Sequence, residues 1–463
     1  MISIGVAIPS LITVGQLGLD PAAAAILSRY PVAPTDDLVR RMDAGCRILR
    51  PAGVLDAQDG LWATGVHDRA SARLNLVRWT GTVTNLIPNS TMQGADVAAN
   101  TAPTGWSTVT GSTGLTRSIV GVGTVGGLPY VDMRVSGTLL QSGPVLAFNW
   151  APTSATPAVA GGRYTHGVYL ALTAGTFGTT QGAVNLLTIA ADGTTTVDNA
   201  SGPNVFGGLT ATLAQQQLTM VAGATAAQIV PRLRMTFGAS GTVVDFTLRI
   251  AAPQLVRMDV PGTFIPTSGS SASQVQTLYR FDLTEYLGVT WTAGAPGAPG
   301  GFTGNGTTGY LDTNANPSVD FTRMSLNAAC YGAWTAINTT SNGSILGDAA
   351  GAAGVVYIRP RDPGGGVIGR INSGSGFGID IADARGLTVL NRTGPTAAQI
   401  YKNGVNIFQA APASSTMPTT LHLLRQSIYY PGQISAAFAG ASLTPSQHLA
   451  TYQGIGAIMG VAA

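Results

Sequence analysis

Two glycine-rich phrases could cradle a phosphate: GVGTVG at 121–126 and GFTGNGTTGYLDT at 301–313. The first fits the dinucleotide pattern, which requires a strand before it and a helix after it. The chain continues instead as GLPYVDMRV, with Pro129 and an apolar–polar alternation, so the phrase predicts a turn between strands. A P-loop needs a lysine in the loop, and the only lysine is Lys402, in AQIYKNGVNIF, where Asn403-Gly404 predicts a hairpin turn. Metal chemistry needs clustered ligands, but His67, His166, His422 and His448 are scattered, none with a second His at i+4. Asp312, Asn314 and Asp320 could offer oxygens to calcium, yet read first as a hydrogen-bonded turn. His67-Asp68 has no nucleophile elbow to serve. Paired glutamates for glycoside hydrolysis are excluded, because Glu285 is the only glutamate, and no strand carries two Asp at i, i+2 among aromatics. These residues point away from an enzyme and imply no cofactor and no metal.

Binding is the remaining chemistry. Sugars pack their C–H faces on exposed aromatic rings while polar side chains bond the hydroxyls. Ranked by side-chain type, the glycan-binding candidates are Trp106, Trp150, Trp334, Tyr357, Tyr429 and Tyr430.

Composition dictates the scaffold that would carry these rings. The chain of 463 residues is 45% hydrophobic and 10% charged, with 61 Gly and 26 Pro. That mixture favours short strands joined by many turns over long charged helices. Net charge is +3 with signs interspersed, and no basic run marks a nucleic-acid partner. Cys46 and Cys330 read as buried thiols. The apolar N-terminus, MISIGVAIPSLITVGQLG, has no basic flank and is broken by Gly and Pro, so it predicts neither a signal peptide nor a membrane span but an arm that docks on something.

Asp20-Pro21 opens one short helix, and PTDDLVRRMDAGCRIL a second with Leu38, Met42 and Cys46 on one face. From Gly60 the pattern is short strands almost to the end, where Thr444-Pro445 opens a closing helix. Two similar phrases, NLIPNSTMQG from Asn85 and TFIPTSGSS from Thr263, bracket the middle of the chain. That pattern predicts one β-sandwich inserted in a surface loop of another. The expected organisation is mainly β: an N-terminal arm and helices over 1–54, a jelly roll over 55–82 plus 279–463, and an inserted sandwich over 83–278.

The phrase GFTGNGTTGYLDT resembles the entry strand of the concanavalin-like/laminin-G-like jelly rolls of tailed-phage virion proteins. AGVLDAQDGLWATGVHDRASARLNLV is similar to their leading segment, and YPGQISAAFAGASLTPSQHLATYQGIGAIM to their last strand and closing helix. NLIPNSTMQGA…APTGWS together with APQLVRMDVPGTFIPTSG resembles a carbohydrate-binding-like sandwich of phage fibre and tail proteins. The resemblance implies a virion surface protein, of a tail fibre, baseplate or head fibre, that is assembled in the host cytoplasm and attaches to host surface polysaccharide. It implies partners among other virion proteins through residues 1–54 and homo-oligomerisation, often trimeric in fibres. The alternatives in other classes are a purely architectural particle protein, a depolymerase and a cellular adhesin; the last is disfavoured by the missing export signal.

Overall fold

A computed structural model describes residues 19–66, 68–110, 114–150, 156–295, 297–349 and 354–461. The expected N-terminal arm and His67 lie outside the described residues. The protein is mainly β, built of β-sandwich units with short helices near the N-terminus, and it divides into two compact units. One unit comprises the chain up to Trp79 and from Tyr279; the other is Thr80–Leu278.

In the discontinuous unit, a six-stranded antiparallel sheet runs in the order Gln58–Trp62, Ala436–Gly440, Ala329–Thr335, Gly386–Gly394, Ala397–Lys402 and Val405–Ala410. Every residue of Ala329–Thr335 and Ala436–Gly440 is buried, with no alternation, because both faces of this sheet are covered. One face carries the helices Pro21–Leu27, Asp36–Leu49 and Pro445–Met459: Ile26, Leu38, Met42, Cys46, Ile455 and Ile458 share a core with Trp334, Val389 and Phe438. The apolar faces of the two N-terminal helices are thus part of this core. Gly45 and Gly454 let two of them cross closely: a Cβ on Gly45 would collide with Ile458 Cγ1, and one on Gly454 would lie 2.5 Å from Leu49 Cγ. The opposite face meets a seven-stranded sheet so closely that a Cβ on Gly369 would fall 2.5 Å from Leu390 Cδ1.

The helix signals act as expected. The Asp20 carboxylate accepts from Ala22 N ahead of Pro21, Thr35 Oγ1 from Leu38 N, and Thr444 with Gln447 forms a capping box. GFTGNGTTGYLDT is a turn between the strands Gly301–Gly304 and Leu311–Asp312; Asn305 Oδ1 accepts from the backbone N–H of Thr307, Thr308 and Gly309 at 2.9–3.0 Å. GVGTVG lies in the strand Leu115–Val125, which returns as Leu128–Thr138 through Gly126-Gly127, both at positive φ. Both phrases thus lead from strand to strand, with no helix to receive a phosphate.

The continuous unit is a sandwich of two five-stranded antiparallel sheets. The first runs Ala214–Val221, Arg163–Thr176, Val243–Val256, Leu128–Thr138, Leu115–Val125. The second runs Ser107–Thr110, Val145–Asn149, Gln228–Thr236, Gln181–Ile189, Thr196–Ser201. Their inner faces share one core, with Phe148, Leu233, Met235 and Val184 from the second sheet and Val131, Met133, Phe246 and Leu248 from the first. The two bracketing phrases meet. Thr267 Oγ1 donates to Ile87 O at 2.6 Å and Ser90 N donates to Thr267 Oγ1 at 2.9 Å, so IPNS and IPTS tie the ends of this unit together.

Candidate functional site

Four of the six aromatic candidates are core residues, which corrects the expectation that they could meet a ligand. Trp150 is 1% exposed and donates its indole N–H to His166 Nε2 at 2.6 Å. Trp334 is buried and stacked on Tyr452, with centroids 5.2 Å apart. Tyr430 is fully buried, and buried Tyr357 has the Arg359 and Arg370 guanidiniums over its ring at 4.9 and 5.4 Å. The cause is common to all: an aromatic ring is the largest apolar area a strand can offer, and a sandwich core takes it first. Tyr429 is half-buried in a cluster with Tyr310 and the Arg425 guanidinium, 5.2 Å from its ring centroid. Burial, first of all, pushes the Tyr310 hydroxyl up to about 12.

Trp106 is half-buried. Its indole N–H donates to Asn89 O at 3.0 Å, and its ring meets that of Trp150 edge-on at 4.7 Å. It lines a cleft of about 280 Å³ between edge strands of the two sheets, with Phe148 and Met133 as apolar lining and Arg117, Asn100 and Ser107 as polar groups. Arg117 donates to Thr108 Oγ1, and burial lowers its pKa. Among the described residues no acidic side chain lines this cleft.

Ser107 also begins a feature that side-chain ranking misses. Register carries it across the outer face of the second sheet: Ser107 pairs with Asn149, Asn149 with Arg232, Arg232 with Asn185 and Asn185 with Ser201. Five strands thus contribute one polar row. Arg232 donates Nε–H to Asn185 Oδ1 and Nη2–H to Asn199 Oδ1 at 3.1 Å. Asn185 Nδ2 donates to Asn199 Oδ1 at 3.0 Å and to Ser201 Oγ at 2.6 Å, and Asn149 Nδ2 to Ser107 Oγ at 3.3 Å. A guanidinium carries five N–H donors, so Arg232 keeps donors in hand; Asn149 Oδ1 is a buried acceptor with no hydrogen-bond partner among the described residues. Two residues along, Arg234 lies on the same face, paired in register with Ala147 and Ala183. Burial, and next the Arg234 charge, lower the Arg232 pKa. Asp198 is turned to Thr188 Oγ1 and Gly223 N, at 2.5 and 2.7 Å. The one legible signal was alternation in QIVPRLRMT, which puts Arg232 and Arg234 on one side of a strand.

The outer face of the first sheet is built differently. Arg134 forms a two-pronged bond to Asp245 at 2.8 and 2.7 Å, and Arg249 one to Asp132 at 2.8 Å for each prong. Arg249 also lies 3.7 Å over the Tyr130 ring.

Other candidates for chemistry are occupied locally. Glu285 is ion-paired with Arg69 and Arg73. Asp312 Oδ1 accepts from Asn314 N at 2.7 Å, whereas Asp320 accepts from Arg280 and Asn316 N, so the loop's carboxylates go to separate partners. Asp68 caps its own turn through Ala70 N and Ser71 N. Lys402, in the Asn403-Gly404 hairpin, donates to Ala384 O and Thr388 Oγ1, and burial brings its ammonium down to about 8. Among the described residues no group of three metal-ligating side chains forms, and no helix is long and apolar enough to cross a membrane.

No protein-family model matches this chain, and no curated protein matches it. Among solved structures it is similar to a CBM4 structure, at 18% identity over 37% of this chain and 98% of that one, with a TM-score of 0.23. It is also similar to promiscuous carbohydrate-binding modules from the β-sandwich superfamily, at 9% identity over 38% of this chain and 74% of that one, TM-score 0.26. A third is the enzymatically active domain of tailspike protein 4 of bacteriophage CBA120, at 13% identity over 37% of this chain and 21% of that one, TM-score 0.22.

Proposed function

We propose that this protein binds glycans, and that the polar row from Ser107 to Ser201 is its binding face. One observation carries the reading: Arg232 keeps spare donors in a row whose end members, Ser107 and Ser201, are exposed. A sugar hydroxyl accepts from a guanidinium and donates to a serine oxygen, so it answers both. A shallow face of this kind binds weakly and suits display in many copies, where avidity supplies the strength. The order of phage-like phrases along the sequence supports display on a virion and attachment to host surface polysaccharide. The helical faces of Pro21–Leu27 and Asp36–Leu49 are taken up by the core. Docking to other virion proteins then falls to the apolar sequence before residue 19.

The test is capture of host cells by purified protein, with and without their surface polysaccharide. Capture that disappears with the polysaccharide is the expected result; capture that is indifferent to it removes the glycan reading. A second reading, an architectural role on the particle without glycan binding, is favoured by the burial of Trp150, Trp334, Tyr357 and Tyr430. It predicts that no capture occurs in either case. As for catalysis, the sole glutamate is held between two arginines, which speaks for a binding role over a hydrolytic one.

A further inference from the structure

The two outer faces of the continuous unit treat arginine in opposite ways. On the first sheet, each of Arg134 and Arg249 has a carboxylate in two-pronged contact. On the second, Arg232 is bonded to asparagine amides only, and Arg234 makes no hydrogen bond or ion pair among the described residues. Asp198, on the same sheet, is occupied by Thr188 and Gly223. Two positive charges at i, i+2 on one strand stand about 7 Å apart and repel each other unless an anion is brought in. Neutral sugars need no such pair. The flanking Ala147 and Ala183 add no side chain beyond a methyl beside Arg234, so its head group is not screened by neighbours in register. Guanidinium recognises a carboxylate with two parallel bonds, and Arg232 retains donors for that purpose.

We propose that this face takes an acidic polysaccharide whose sugars carry a carboxylate, with Arg232 and Arg234 as the acid-recognising pair, held from beneath by the buried Asn185, and the exposed Ser107 and Ser201 meeting the neighbouring hydroxyls. The inference rests on the glycan-binding reading above and narrows it to a ligand class.

The experiment is titration of the full chain against an array of uronate-bearing polysaccharides, each beside its carboxyl-reduced counterpart, with a sulfated neutral polysaccharide as a charge control. The expected result is binding to at least one uronate polymer that falls about tenfold or more on carboxyl reduction, the scale of one charge-assisted hydrogen bond. Arg234→Gln, which breaks no hydrogen bond in the protein, should cause a similar fall; Arg232→Gln should do so too, with an unchanged unfolding curve confirming that the asparagine ladder survives. Arg134→Gln, on the opposite face, should leave binding as it was. Equal binding to native and carboxyl-reduced polymers would overturn the acidic inference and leave glycan binding standing. Equal binding to the sulfated control would overturn carboxylate recognition in favour of bare charge. Failure to bind any polymer in either form would overturn the glycan reading and this inference with it.

Discussion

The sandwich formed by Thr80–Leu278 has two outer faces with the same strand count and nearly the same supply of arginine. On one, Asp132 and Asp245 close the circuit within the protein. On the other, the positions that could hold carboxylates hold Asn149, Asn185, Asn199 and Ser201. Amides orient a guanidinium without cancelling its charge, so the first face is neutralised within the fold and the second keeps its positive charge. The difference separates arginines neutralised by carboxylates within the fold from arginines that are not, a distinction that side-chain type alone does not make.

The largest effect should come from the core beneath the two faces. Trp150→Ala should destabilise the continuous unit by about 3–5 kcal/mol in chemical denaturation, the range for deleting a buried aromatic. It also leaves His166 Nε2 without its indole donor. A change within error would mean that Trp150 is not the core residue described. Next, Arg232→Gln with Arg234→Gln should weaken acidic-glycan binding about a hundredfold, as two charge-assisted contacts are lost. The matching pair Arg134→Gln and Arg249→Gln should not weaken it, and equal losses on both faces would erase the contrast.

A third effect is a pH dependence. Burial brings His166 down to about 3 from an ordinary value of 6.5, against a smaller upward push from a backbone hydrogen bond at Asn185. The folded value lies below the unfolded one, so the unfolded chain binds the proton first as pH falls. Stability is then full above pH 6.5 and declines from there towards about pH 3, by about 1.4 kcal/mol per pH unit from this residue once below the unfolded value. His166→Gln should flatten that slope in denaturation curves taken between pH 7 and 4, relative to the unmodified chain; identical slopes would remove His166 as the cause. The smallest effect is on the neutralised face. Asp245→Asn should leave stability unmoved at physiological salt, because this exposed pair is well solvated. By unpairing Arg134 it should add weak, salt-sensitive binding of acidic glycan there. No gain at low salt would show that a free arginine is insufficient without the asparagine row.

Much of the scaffold was legible. Leu38, Met42 and Cys46 fall at helical spacing and are all fully buried, and the caps at Asp20, Thr35 and Thr444 mark helix starts. Turn chemistry at Asn305, Gly126-Gly127 and Asn403-Gly404 is local and needs only the sequence around it. The bracketing phrases at Asn85 and Thr263 were visible because they repeat. The site was far less legible. Aromatic type does not tell a platform from a core ring: Trp106 and Trp150 touch at 4.7 Å, yet only Trp106 lines the cleft. The polar row is set by register between strands distant in sequence, and Asn and Ser scattered singly through a Gly- and Thr-rich chain look like turn residues.

The decisive measurement is a crystal structure of the full chain with an oligosaccharide to which it binds in solution. Sugar density lying across Ser107, Arg232 and Ser201, with a carboxylate on the Arg232–Arg234 pair, is the predicted result. Density over the Arg134–Asp245 face, or sugar confined to a site elsewhere on the chain with this row bare, would contradict it.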